Sequence, residues 1–260
     1  MSALRGKRVL VTRAAEDQAD LADLLAARGA IPVPLPCIAF ADPVDRGPLD
    51  AALRLLRARV RPDFVVLASP HAVDRFLREL DPALLRGVRI AAAGQGTARK
   101  LDERGLRALV PERGVGVEAL LELLAPLVQG KDVLLPRAEG GNPALVDGLQ
   151  RAGARLAAVT LYRTVPADAG DPAVARLLRD GRIDAIAFAS GSAARGFAAI
   201  FGADAPGLST RAAVACMGAA CAEEARSSGL RVDAIANGGL PELVDALERA
   251  MSKAGPGHAS

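Results

Sequence analysis

Six short segments of the chain combine basic, hydroxyl-bearing or very small residues in a way that suits anion binding. They are Arg13, Ser69-Pro70-His71, Gly94-Gln95-Gly96-Thr97, Arg137, Ser190-Gly191-Ser192 and Gly218-Ala219-Ala220-Cys221. A guanidinium presents a planar fork of N–H donors that matches a carboxylate. A helix that opens on Ser, Thr or Gly offers unpaired backbone N–H groups at the positive end of its dipole. Arg13 and Arg137 are therefore candidate carboxylate partners. Ser69, Thr97, Ser190 and Ser192 are candidate hydroxyl donors, and Gly218 with Cys221 marks a further helix opening. Each also has a plainer use, as a helix cap, a turn residue or a solvated strand end. Tyr162 is the only tyrosine, and its phenol can either donate a proton or simply pack its ring.

Other chemistries are poorly supplied. The 260 residues hold two histidines and three cysteines, at 37, 216 and 221, with no CxxC spacing. A metal site or a His-based triad would have to rely on His71, because His258 sits in a Gly/Pro/Ser tail; no metal is expected, and the cysteines are expected to be free thiols. Gly94-x-Gly96 resembles the start of a dinucleotide fingerprint, but Arg99 stands where the third glycine belongs, so no nucleotide cofactor is expected. With no Trp, one Tyr and six Phe, the chain has few platforms for stacking bases. The net charge of +3 is carried by residues spread along the chain, which favours an anionic ligand only weakly. The N-terminus lacks an apolar signal core and no run approaches a membrane span. A cytoplasmic monomer that binds neither nucleic acid nor membrane is expected.

The elements that must position these residues follow from periodicity. KRVLVT (7–12) reads as a strand, 17–28 as a helix stopped by Gly29, and IPVPLP (31–36) as extended, since three prolines forbid helix and central strand alike. A helix over 49–59 precedes DFVVLAS (63–69), a continuous apolar run of the kind buried on both faces of a parallel sheet. Helix follows from Pro70, strand over 88–93, helix from Gly94 to about Gly105, strand over 106–110 and helix over 117–127. At Gly130 the series restarts: GKDVLLPR echoes GKRVLVTR, DAIAFAS echoes DFVVLAS, and VACMG echoes IAAAG. The echoes stand about 120 residues apart throughout, which points to a duplicated β/α unit. Residues 252–260 read as a disordered tail. Alternating strands and helices imply α/β architecture, two similar flavodoxin-like parallel-sheet domains. In such sheets ligands bind beyond the C-terminal strand ends, where the six segments lie.

The ordered set VLVTR (9–13), PLPCI (34–38), DFVVLASPHAV (63–73), AAGQGTA (92–98), VLLPR (133–137), TLYRT (160–164), DAIAFASGSA (184–193) and CMGAACAE (216–223) resembles the uroporphyrinogen-III synthase family, over nearly the whole chain. The resemblance implies discontinuous domains, 1–35 with 167–260 and 36–166, joined by extended linkers near 34–38 and 160–165, with Tyr162 beside the cleft. It implies a cofactor-free enzyme acting on hydroxymethylbilane, a linear tetrapyrrole with eight carboxylates. Loss of the hydroxyl gives an azafulvenium cation, a spiro intermediate forms, and reclosure inverts the last ring to give uroporphyrinogen III. Tyr162 would be the general acid for the departing hydroxyl, and Arg13, Ser69, Thr97, Arg137, Ser190, Ser192, Gly218 and Cys221 would bind substrate. Cys221 departs from the Thr or Ser that the family often carries there. The readings that compete are a non-enzymatic two-domain protein closing on an anion and a nucleotide-dependent enzyme.

Overall fold

The apolar runs form strands and the Leu-rich periodic stretches form helices. In a computed structural model that describes residues 2–114, 116–168 and 171–253, the first half of the chain runs β1 (Arg8–Val11), α1 (Gln18–Ala27), β2 (Ile31–Pro34), β3 (Ile38–Ala41), α2 (Gly47–Arg57), β4 (Phe64–Leu67), α3 (Pro70–Glu79), β5 (Arg89–Ala92), α4 (Gln95–Asp102) and α5 (Val117–Leu124). The second half runs β6 (Asp132–Ala138), α6 (Pro143–Arg151), β7 (Arg155–Pro166), α7 (Pro172–Arg179), β8 (Ala185–Phe188), α8 (Gly191–Phe201), α9 (Ala205–Ser209), β9 (Ala213–Met217), α10 (Ala219–Ser227), β10 (Ala234–Ala236) and α11 (Leu240–Lys253). Contacts divide the chain into two units, Met1–Phe40 with Thr164–Ser260, and Ala41–Arg163. The sequence-based boundaries stood at 35/36 and 166/167. The contact boundaries fall instead within β3 and β7, both strands of the second sheet.

The first unit holds a five-stranded sheet in the order β10-β9-β8-β1-β2, parallel throughout. Counted in chain order within the unit, this is the 2-1-3-4-5 order of flavodoxin-like folds. Successive side chains of a strand point to opposite faces. Leu10, Ile186, Phe188 and Val214 pack on one face against Phe197, Phe201 and Leu178 of α8 and α7. Val9, Val11, Ala185, Ala187 and Ala215 pack on the other against Leu21 and Leu25 of α1 and Leu243, Val244 and Leu247 of α11. Strand β2 lies at the sheet edge, where proline is tolerated. Its odd-numbered residues face inward: Ile31 N–H donates to Lys7 O and Leu35 N–H to Val11 O, both within 2.9 Å. Pro32 and Pro34 fall between them, and Pro36 between Leu35 and Cys37, whose N–H donates to Thr12 O, so all three lie on the side away from β1.

The second unit holds a sheet in the order β3-β7-β6-β4-β5. The strands β6 and β7 come late in the chain yet pair beside β4 as β1 and β2 pair beside β8. Each sheet thus takes one βαβ unit, β1-α1-β2 or β6-α6-β7, from one repeat and its other three strands from the other. Phe64, Val66, Ala91, Val133 and Leu135 face Leu120 and Leu124 of α5 and Leu145 and Leu149 of α6. The expected strand over 106–110 is reduced to one parallel bridge, Leu109 with Ala91. Leu109 N–H donates to Ile90 O and Leu109 O accepts from Ala92 N–H. The next inward donor along the chain would be residue 111, a proline without an N–H, and the ladder stops there. The first two residues of the expected tail are helical instead. Ser252 and Lys253 close α11, with the Ser252 hydroxyl donating to Glu248 O at 2.8 Å; residues 254–260, His258 among them, lie outside those described. No helix among the described residues is long and apolar enough to cross a membrane.

Candidate active site

In each unit the predicted residues sit where strands end and helices begin. Ser69 stands in extended conformation before α3, and its Oγ accepts the Ala72 N–H at 3.1 Å. Ser190 repeats this before α8, accepting from Ala193 N–H at 3.2 Å, with the Ser192 hydroxyl 3.0 Å away. Both serines therefore serve as N-caps, and one hydroxyl hydrogen joins Ser190 to Ser192. The next strand end in each unit differs. Gly94 precedes α4 and Gly218 precedes α10, and neither supplies a side-chain cap. These two helix starts leave first-turn N–H groups for another acceptor. Gly218 has φ +84, a backbone that strains any side-chain-bearing residue, and its N–H bonds Ala236 O at 2.8 Å.

Thr97 and Cys221 occupy matching places in the first turns of α4 and α10, and both are buried, 5% and 4% exposed. The Cys221 thiol donates to Phe188 O at 3.4 Å, so it faces the core of its unit. Its hydrogen bond with Cys216, together with burial, raises the Cys216 thiol far above its ordinary range and keeps it protonated. Burial does the same to Cys37.

The two arginines are placed alike and engaged differently. Arg13 follows β1, half-buried, with Asp17 3.8 Å from its guanidinium. Arg137, at the end of β6, folds back so that Nη2 donates to Gly141 O in its own loop. The loop closes through Gly141 N–H to Ala138 O at 3.1 Å. Arg137 is therefore partly occupied in shaping the loop. His71 lies half-buried in the first turn of α3.

Tyr162 is 6% exposed. Strand β7 pairs with β6 in regular register from Arg155 to Thr160, then shifts: Arg137 faces Thr160, and Ala138 faces Tyr162. Leu161 is the extra residue of a β-bulge. Plain alternation would put Tyr162 on the face shared by Leu156, which packs with α5 and α6. The bulge turns it to the opposite face, a common use of bulges near functional sites. There the guanidinium of Arg75, from α3, lies 5.3 Å from the ring centroid. Tyr162 O accepts the Glu139 N–H at 2.7 Å.

Sequence reading passed over three features. Arg75 carries no local signal, being one basic residue on a helix. The bulge left a trace, since Leu161-Tyr162 puts two large residues side by side in a strand. Thr12, 0% exposed, ties β1 to β8 through Oγ1 to Ala187 O at 2.7 Å; a hydroxyl after an apolar strand does not announce that partner. Among the described residues no group of three or more His, Cys, Asp and Glu side chains is placed to hold a metal ion.

A family model described as uroporphyrinogen-III synthase HemD matches residues 4–239. The chain belongs to the uroporphyrinogen-III synthase family. A uroporphyrinogen-III synthase from Synechococcus elongatus is 31% identical over 201 residues, 75% of this chain and 74% of that protein. The porphyrin biosynthesis protein HemD of Ruminiclostridium josui is 28% identical over 250 residues; they cover 94% of this chain and 48% of the relative, so the chain spans about half that protein's length. The fold is shared with the crystal structure of uroporphyrinogen-III synthetase from Helicobacter pylori, with a TM-score of 0.61 at 18% identity over 95% of this chain and 99% of that one.

Proposed function

We propose that this protein converts hydroxymethylbilane to uroporphyrinogen III, with inversion of the last pyrrole ring and loss of water. The family match across residues 4–239 carries the reading. The substrate bears eight carboxylates and cyclises unaided to the type I isomer, so the catalyst's main task is to hold one folded geometry. Sockets at helix starts suit that task. The N–H groups opening α4 and α10, the hydroxyls of Ser69, Thr97, Ser190 and Ser192, and the guanidinium of Arg13 take carboxylates. Arg137 adds whatever donors its loop leaves over, and Gly218 with Cys221 contributes backbone N–H groups, the Cys221 thiol pointing to the core.

Tyr162 is the proton donor in this reading. A phenol ordinarily titrates near pH 10 and so holds its proton at neutral pH. It donates to the departing hydroxyl, which leaves as water; the pyrrole nitrogen's lone pair supplies the electrons that expel it. Folding of the bilane then directs the cation to the substituted carbon of the last ring. The protein works as a cytoplasmic monomer without metal, cofactor or nucleic acid.

Purified protein supplied with hydroxymethylbilane, with the isomers resolved by chromatography, tests the proposal. Type III product above the spontaneous type I background is expected, and chelator treatment should leave its rate unchanged. Type I alone, with the bilane bound but not turned over, would favour the non-enzymatic anion-binding reading.

A further inference from the structure

We propose that Arg75 is a positioning residue that holds Tyr162 in the orientation from which it donates, an inference that rests on the donor role given to Tyr162 above. Three observations lead there. The bulge at Leu161 immediately precedes Tyr162 and re-aims it, from the face of α5 and α6 to the face where Arg75 lies. Backbone placement is then fixed, with Tyr162 O bonded to Glu139 N–H at 2.7 Å. What remains is the side chain's own rotation. The Arg75 guanidinium, 5.3 Å from the ring centroid, covers one face of the ring, an arrangement favoured by the flat, delocalised cation.

The arginine itself comes from a rigid support. Helix α3 starts at a capped Ser69 and a Pro70, and it buries Ala72, Val73, Phe76 and Leu77. The adjacent Asp74 is drawn toward Lys100 of α4, at 3.4 Å. A group whose angle must be correct is best held by neighbours that are themselves locked. Arg75 therefore acts through Tyr162 and needs no contact with the reacting atoms.

The chain has one tyrosine and no tryptophan, so the tyrosine band of its near-ultraviolet circular dichroism reports Tyr162 alone. The test compares wild type with Arg75→Gln, Arg75→Lys, Tyr162→Phe and the double variant Arg75→Gln/Tyr162→Phe. Arg75→Gln should collapse the tyrosine band and lower kcat about tenfold, with KM within about twofold. Arg75→Lys should restore part of both, and guards against a glutamine variant that folds poorly. In the Tyr162→Phe background, Arg75→Gln should cost nothing more. A rise in KM with kcat intact, or an equal loss of kcat in both backgrounds, would overturn the proposal, because Arg75 would then act independently of Tyr162. A preserved tyrosine band in Arg75→Gln, with Tyr162→Phe slow, would overturn it while leaving the donor reading standing. Unchanged turnover in Tyr162→Phe would remove the donor reading itself, and this inference with it.

Discussion

In the first unit the strand ends carry Arg13, a capping Ser190 and the bare helix start at Gly218; in the second they carry a capping Ser69, the bare helix start at Gly94, and Arg137. The caps are nearly superimposable in their angles, φ −153° and ψ 156° at Ser69 against φ −159° and ψ 155° at Ser190. Beyond this shared framework the units diverge. Where the second unit has Thr97, the first has Cys221, its thiol turned to a core carbonyl. The second unit has a long bulged strand that carries Tyr162, whereas the first has the proline-broken β2. The two units share the strand-end and helix-start framework, whereas Tyr162, the proposed proton donor, belongs to the second unit alone. Binding is expected to be distributed over both, and proton donation to be local to one.

The largest effect expected in testing that contrast is on stability. Gly196 in α8 lies so close to the crossing chain that an added Cβ would stand 1.9 Å from Cys37 O, a backbone atom with nowhere to go. Gly148 in α6 faces only the tips of Leu121, at 2.5 Å. Gly196→Ala should cost about 3 kcal/mol or more. Gly148→Ala should change stability by about 1 kcal/mol or less, since a helix former offsets the crowding. Urea unfolding followed by far-ultraviolet circular dichroism checks both. The tyrosine band, which reports the second unit alone, should lag behind in Gly196→Ala.

Next in size is Tyr162→Phe. General acids contribute about 10²–10⁴-fold, and the low end or below is expected here because the hydroxyl leaves readily without help. Turnover should fall while the product remains mainly the type III isomer. A switch to type I would move Tyr162 from protonation to shaping the substrate, and the contrast between distributed grip and local chemistry would fail.

Smaller again are the socket residues. Ser69→Ala, Thr97→Ala and Arg13→Ala should each raise KM modestly, since a neutral hydrogen bond is worth about 0.5–1.5 kcal/mol and one to a charged group about 1.5–3. Ser69→Ala and Ser190→Ala should also lose about 1 kcal/mol of stability as caps, and by similar amounts. Abolished activity in any one of these, with the fold intact, would show that a dedicated catalytic group lies among the sockets.

The smallest effect is a pH dependence. Hydrogen bonds, first from Ser2 and then from the Ala3 N–H and Arg28, lower the Glu248 carboxyl below its ordinary range, and Arg155 does the same for Asp132 in the second unit. A carboxyl depressed on folding adds stability above its unfolded pKa and loses it as pH falls through the folded pKa. Asp132 is exposed and Glu248 lies half-buried at the surface, so the contributions are small. Glu248→Gln should lower Tm slightly at neutral pH, with the difference vanishing in acid; thermal melts across pH 2–7 would show it.

How much of this was legible beforehand varies with the range of the interaction. The strand ends and helix starts stand out in the sequence because Ser-Pro, Gly-x-Gly and continuous apolar runs are local signals. So does the duplication, since its echoes keep a constant spacing. The truncated ladder at Leu109 was hidden because it depends on which residue would donate next, and Pro111 counts only once the register is known. The facing of Tyr162 was hidden for the same reason, as alternation points to the wrong side when Leu161 is inserted. Arg75 gave no sign at all, because what distinguishes it is a neighbour about 90 residues along the chain.

The partnership of β1 with β8 has a consequence during synthesis. Val9 pairs with Ala185, so on a ribosome adding about 5–20 residues each second, β1 emerges roughly 9–35 s before β8, the strand that pairs with its other edge. In that interval any pairing of β1 with β2 would leave open edges, the kind of surface on which other chains can build. The prolines at 32 and 34, and Pro36 just past the strand, remove the N–H groups along the outer edge of β2 for the whole wait. What reads in the finished fold as a tolerated irregularity at a sheet margin is, in the growing chain, a guard against joining the wrong molecule.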